Sequence, residues 1–271
     1  MITVVRAGKR HHELRGRREV WHTFHAAADG ATHAEGFAAL EVLDEYRVPP
    51  GTSLTSYQSH DAEVVTYVCD GALACEDSTG RSGVIQAGEF QRMTIGRGVR
   101  QRKSNASRSE WAHAFQFWMR RPEAGPEQRY EQKRFTAAVR RGRLCVVASP
   151  DARRGSLLTR DTLVYSSLLA PGQHVAHALA SGRCAWLHVV RGELTLGETV
   201  LVGGDGAGVT EERSVPITAR ENSEILLCDL GYLHPLLPSR VLPEREAVSR
   251  FRAPGGSAAL ERRQNWSCSA A

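Results

Sequence analysis

No stretch of this 271-residue chain approaches the roughly 18 consecutive apolar residues that a membrane-spanning helix needs. None of the six cysteines, Cys69, Cys75, Cys145, Cys184, Cys228 and Cys268, forms a CxxC pair, so neither a zinc ribbon nor a thioredoxin-type motif is present. Most of them sit in apolar strand-like runs and read as reduced core residues; Cys69 and Cys75 flank a turn. Zinc-finger and helix-turn-helix spacings are missing, and so is the aromatic signature of an RNA-binding sheet, so no nucleic-acid module accompanies the basic charge. A glycine-rich nucleotide loop and a nucleophile elbow are also absent. The opening "MITVVRAGKRHHELRGRRE" places charge after its apolar residues, the reverse of a secretory signal. The expectation is a soluble, cytoplasmic protein that does not enter a membrane.

What the chain does contain is a core-sized share of apolar residues, 41%, and many short alternating runs. "FAALEVLDEYRV", "EVVTYV", "GVIQAGEF", "HAFQFWM", "RLCVVAS", "LVYSSLLA", "AWLHVVRGELTL" and "EILLCDL" have the period of two expected of half-buried strands. Turn residues separate them, as in "EDSTGRSG" and "GGDG". Only residues 123–135 look locally helical. The 35 basic residues exceed the 30 acidic ones and cluster at 6–18, 97–108, 120–121, 129–143 and 240–263. A solvated β surface accounts for them; a protein partner docking on the Arg-rich faces or on the tail is the sharper alternative.

The pattern occurs twice. "YVCDGAL" (67–73) parallels "HVVRGEL" (188–194), and "VIQAGEF" (84–90) parallels "VLVGGDG" (200–206). One module used twice predicts two similar barrels, 1–122 and 137–231, joined by a connector at 123–136. The first strand of each is a candidate to cross to the other sheet. Residues 232–271 are richer in proline, arginine and small residues, lose the strand period, and read as a mobile tail with one short helix near "PEREAVSRF".

A strand–glycine–strand unit used twice resembles the cupin superfamily. "HTF" (22–24), "GFAALEVLDEYRVPPG" (36–51), "DAEVVTYVCDGALACEDSTG" (61–80), "VIQAGEFQRMTIGRGVR" (84–100), "YEQKRF" (130–135) and "WLHVVRGELTL" (186–196) resemble, more specifically, the pirin family of bicupins, which includes proteins similar to bacterial quercetin dioxygenases. The resemblance implies an all-β fold of two tandem jelly-roll barrels, and an amino-terminal cup holding one divalent metal, usually iron, on three histidines and a glutamate. Its first motif runs Gly, five residues, His-x-His, three residues, Glu. Gly51 and Glu63 keep their places, but Tyr57 and Ser59 stand at the histidine positions. In the second motif Asn105 is kept, while Gln101 and Lys103 replace histidine and glutamate.

A phenol, a hydroxyl, an amide and an ammonium make a poor ligand set for a dication. The ammonium alone repels one by several kcal/mol at ~4 Å and a dielectric of ~20. The residues therefore predict no metal cofactor. The alternative is a single iron or other divalent ion, reached if a bulge turns His60 inward. His113, His174, His177 and His188 read as structural. The leading reading is a metal-independent pirin-like protein that either binds a small acidic or aromatic molecule through Tyr57, Ser59, Glu63, Gln101 and Lys103 or has a regulatory role. Quercetinase-like dioxygenation is the alternative, and metal-free isomerase, lyase or cyclase chemistry on Lys103 and Tyr57 a third reading.

Overall fold

The computed structural model describes residues 1–24, 36–57, 62–95, 99–120, 130–152, 157–159 and 161–231. The fold is all-β, with two barrels that each combine a seven-stranded and a four-stranded sheet. Among the described residues, helix is confined to the turns Ala7–Lys9 and Ala137–Arg140, and no helix is long and apolar enough to cross a membrane. The proposed tail at 232–271 lies outside the described residues.

The first barrel pairs the sheet built around Ala62–Asp70, Ala112–Arg120 and Leu40–Val48 with a four-stranded sheet of Ser53–Tyr57, Arg100–Asn105, Ala72–Asp77 and Ser82–Gln86. The second repeats this plan around Arg183–Arg191 and Ser223–Gly231. Ile2–Val5, within the span 1–122 assigned to the first barrel, pairs with Gly206–Val209 of the second. Tyr130–Arg134, within the connector and its locally helical stretch, is instead a strand beside Glu89–Ile95.

The repeated turn glycines have a steric cause. Gly71 and Gly192 both hold left-handed backbone, with φ of 70° and 90°. A Cβ on Gly71 would lie 2.4 Å from the Trp111 carbonyl oxygen, and one on Gly192 2.4 Å from that of Asn222. Only glycine allows each strand to turn this close to its neighbour.

The seven-stranded sheets pack face to face, and their shared core joins Val65, Tyr67, Phe90, Phe115 and Phe117 of one barrel to Val164, Trp186, Leu226 and Cys228 of the other. The second barrel is filled by its own continuous apolar cluster, including Leu187, Leu194, Val215, Ile217 and Leu227. The first is not. Its apolar residues divide into a group around Val68, Leu73 and Ile85 and a smaller one of Ala62, Val64 and Met93. Between them lie buried polar side chains, among them Asp44, Thr66, Gln91, Gln101, Lys103 and Gln116. A barrel interior left polar marks the first cup, rather than the second, as the chemical one.

Candidate functional site

The strand Arg100–Asn105 alternates exposed and buried, so Gln101, Lys103 and Asn105 turn into the cup while Arg100 and Arg102 face out. The structure thus brings Gln101 and Lys103 together, as their spacing predicts. Lys103 is 4% exposed, and its Nζ has no hydrogen-bond partner. Burial lowers its pKa to about 8, against the pull of nearby Cys75 and Asp44. Cys75 stands directly opposite on the neighbouring strand, with its thiol pushed up by burial.

Gln101 donates through Nε2 to the Met93 sulfur at 2.8 Å, while its Oε1 and that of Gln91 are unmet. Lys103, Gln101 and Gln91 line one cavity of about 10 Å³. That is room for one water-sized group, or for a single oxygen of a ligand reaching inward. Below them Asp44 accepts from Tyr46 Oη at 2.8 Å and pairs with His22 Nδ1 at 2.7 Å. Burial alone would lower the His22 pKa, but the Asp44 and Glu13 carboxylates raise it. His22, Asp44 and Tyr46 were missed from the sequence. Their signal is the inward parity of Asp44 and Tyr46 in "LDEYRV", where an apolar strand interior is otherwise expected.

Glu63 is not part of this group. The strand Ala62–Asp70 turns Val64 and Thr66 toward the cup, where they sit opposite Met93 and Gln91. Glu63 shares the other face with Val65 and Tyr67 and pairs with Arg92 Nη2 at 3.1 Å, both side chains buried. One step in a strand reverses the face. Tyr57 ends its strand opposite Arg100, with Ser56 rather than Tyr57 opposite Gln101. Ser59 and His60 lie outside the described residues. Asn105 closes a loop, donating to the Val48 and Glu110 carbonyls at 2.8 Å each and accepting from Ser107 N–H.

His113, His174, His177 and His188 do not converge on one another. His174 pairs with Thr218, and His177 with Asp229 at 2.7 Å. His188 is fully buried at the seam between the barrels, and burial lowers its pKa to about 3, so it is neutral at pH 7. His113 holds Glu45 through Nε2 at 2.7 Å, and its Nδ1 lies 3.7 Å from Asp70. With Cys69, these two form the one cluster among the described residues with metal-ligand spacing, their ligand atoms all within 4.8 Å of one another. A ring nitrogen oriented by a carboxylate, a carboxylate and a thiol suit a divalent ion. Asp70 would have to leave Arg191, 3.5 Å away, and Cys69 would have to release a thiol proton that burial holds tightly. Gln101 and Lys103 supply no anionic donor.

Two barrels of this topology define a bicupin. Residues 4–119 match the family described as Pirin, and residues 146–230 the family described as quercetinase C-terminal cupin domain. The chain is 36% identical over 231 residues to the quercetin 2,3-dioxygenase of Escherichia coli (strain K12), spanning 85% of this chain and 99% of that one. It is 30% identical over 195 residues to a pirin-like protein of Caulobacter vibrioides, covering 71% of this chain and 84% of that protein. Among solved structures, YhhW from Escherichia coli superposes with a TM-score of 0.78 at 34% identity, over 86% of this chain and 99% of that one. This chain belongs to the pirin family of bicupins.

The same bacterial pirin, YhhW, has been solved in complex with nickel(II), with a TM-score of 0.77 at 33% identity, over 86% of this chain and 100% of that one. That finding, together with the Cys69, Asp70 and His113 cluster, overturns the expectation of no metal cofactor. The expectation rested on four substituted positions in one cup, and the absence of a metal from the protein as a whole does not follow from that cup alone.

Proposed function

We propose that this protein binds a small aromatic molecule carrying an acidic hydroxyl and has a quercetin 2,3-dioxygenase-like activity toward it. The observation that carries this reading is the match to a quercetin 2,3-dioxygenase over 99% of that enzyme's length. Within the cup, Lys103 is the residue suited to receive the ionised oxygen. A buried ammonium without a partner is costly, and an oxyanion supplies the missing charge and acceptor together. Gln101 shares the cavity and can present either end of its amide to the same group. Tyr57, on the adjoining strand, is the second candidate.

Dioxygen chemistry calls for a redox metal or a comparable cofactor. The described cup residues, an amide and an ammonium among them, do not fit such an ion. Cys69, Asp70 and His113 are the described residues that would hold a divalent ion, which when bound would supply a centre for dioxygen. Cys69 packs in the core shared by the two barrels, away from the cup that holds Lys103, so the cluster is a separate site.

Quercetin-dependent oxygen uptake by the full chain, supplied in turn with nickel, iron, manganese, copper and zinc, tests the activity. Uptake with at least one metal is expected. Uptake with none, at stoichiometric metal content, would overturn the dioxygenase reading. Quercetin binding without uptake would leave the second reading, ligand binding without turnover, which the unmet Lys103 ammonium favours.

A further inference from the structure

A second cavity lies not in the cup but at the seam between the barrels. It has a volume of about 480 Å³, in the range of small-molecule pockets. Its polar wall carries three guanidinium groups, Arg140, Arg141 and Arg191, against the single carboxylate of Glu224. Leu168 and Leu169 supply an apolar wall. The excess of positive charge is not cancelled from within. Glu224 is saturated, with Arg140 Nη1 at 2.9 Å on one oxygen, Arg191 Nε at 2.9 Å on the other, and Tyr67 Oη donating to the first. Asp70, 3.5 Å from Arg191 and half exposed at the rim, neutralises part of one cation. Arg140 is 6% exposed, and its Nε has no partner.

We infer that this seam pocket binds a small organic carboxylate. A guanidinium fork matches a carboxylate in shape as well as charge, and three of them around one saturated acid leave donors for a second anion. The leucine wall selects a ligand with an apolar body over an inorganic ion. The pocket is separate from the cup that holds Lys103 but shares Cys69 with the candidate metal cluster, and the inference rests on its arginines rather than on the proposed activity. Arg141 is exposed, which makes it the substitution least coupled to folding among the three arginines.

Benzoate titrated into the full chain by calorimetry tests this, with inorganic phosphate as competitor. Saturable binding with a dissociation constant on the order of 1 mM or tighter is expected. Arg141→Gln weakens it about tenfold, the loss of one charge-assisted contact. His174→Gln, at an exposed histidine outside both cavities, leaves it unchanged, and phosphate at equal concentration does not displace it. Three outcomes would each overturn the inference: no saturable binding of benzoate, equal affinity in Arg141→Gln, or displacement by phosphate as effective as by benzoate itself. A benzoate affinity lost in Lys103→Met but kept in Arg141→Gln would move the anion to the cup.

Discussion

Lys103→Met stabilises the protein at pH 7 by about 2–3 kcal/mol. The native side chain is buried without a hydrogen-bond partner, and burial lowers its pKa from 10.5 to about 8. At about 1.36 kcal/mol per tenfold change, that depression corresponds to roughly 3 kcal/mol. The unfolded chain binds the proton more tightly than the folded one, so the penalty is fully present below pH 8 and fades as pH rises through 8 toward 10.5. Methionine is of similar length, carries no charge and leaves no polar atom behind. Urea unfolding of both proteins at pH 7 and pH 10 checks this: the advantage of the variant falls below about 1 kcal/mol at pH 10. An advantage independent of pH would mean that the ammonium is not desolvated as described. A side chain that costs stability where it stands is a candidate for function, as stability and activity commonly trade against each other at binding sites.

Glu224→Ala has the opposite and larger effect. Three donors, Tyr67 Oη, Arg140 Nη1 and Arg191 Nε, converge on this one buried carboxylate. Arg140 also reaches Tyr67 Oη at 2.9 Å and Ser166 Oγ at 3.1 Å, so the cluster ties the helix Ala137–Arg140 to both barrels. Removing the acid leaves a buried guanidinium without a counter-charge, which costs about 3–5 kcal/mol. The urea midpoint of Glu224→Ala reports this directly. Combining it with Arg140→Met recovers much of the loss, because an apolar pair replaces an ion pair at small net cost. A loss below about 1 kcal/mol in the single variant would show that the cluster is solvated rather than buried.

Much of the architecture is legible in the sequence because strand alternation and turn glycines are local signals. Gly71 and Gly192 mark equivalent turns in the two barrels, and both are sterically required. Gln101 and Lys103 are placed correctly for the same reason, being two apart in one regular strand. Glu63 is expected in the cup because the family motif counts it by spacing from Gly51, and spacing alone does not fix which face a residue takes. The face of Glu63 is set by the strand that begins at Ala62. The crossing of Ile2–Val5 agrees with the expectation that a barrel's first strand leaves for the other sheet, but its register against Gly206–Val209 is not legible. The Tyr67–Glu224 pair is not legible either: its partners lie in different barrels, 157 positions apart, and no local pattern encodes such a pairing. The cofactor expectation failed differently: it treated one cup as the whole protein, whereas Cys69, Asp70 and His113 meet outside that cup.

Absorbance titration of quercetin with the wild-type chain and with Lys103→Met, at pH 7, tests most directly whether the cup receives an acidic hydroxyl. The ionised flavonol absorbs at longer wavelength than the neutral form, so the bound species reports its own protonation. Wild-type protein is expected to bind quercetin as the anion, and Lys103→Met to bind it at least tenfold more weakly or only as the neutral molecule, the loss of one charge-assisted contact being worth about that much. Equal binding of the same species to both proteins, or no binding to either, would contradict the assignment of Lys103 as the group that receives the ligand.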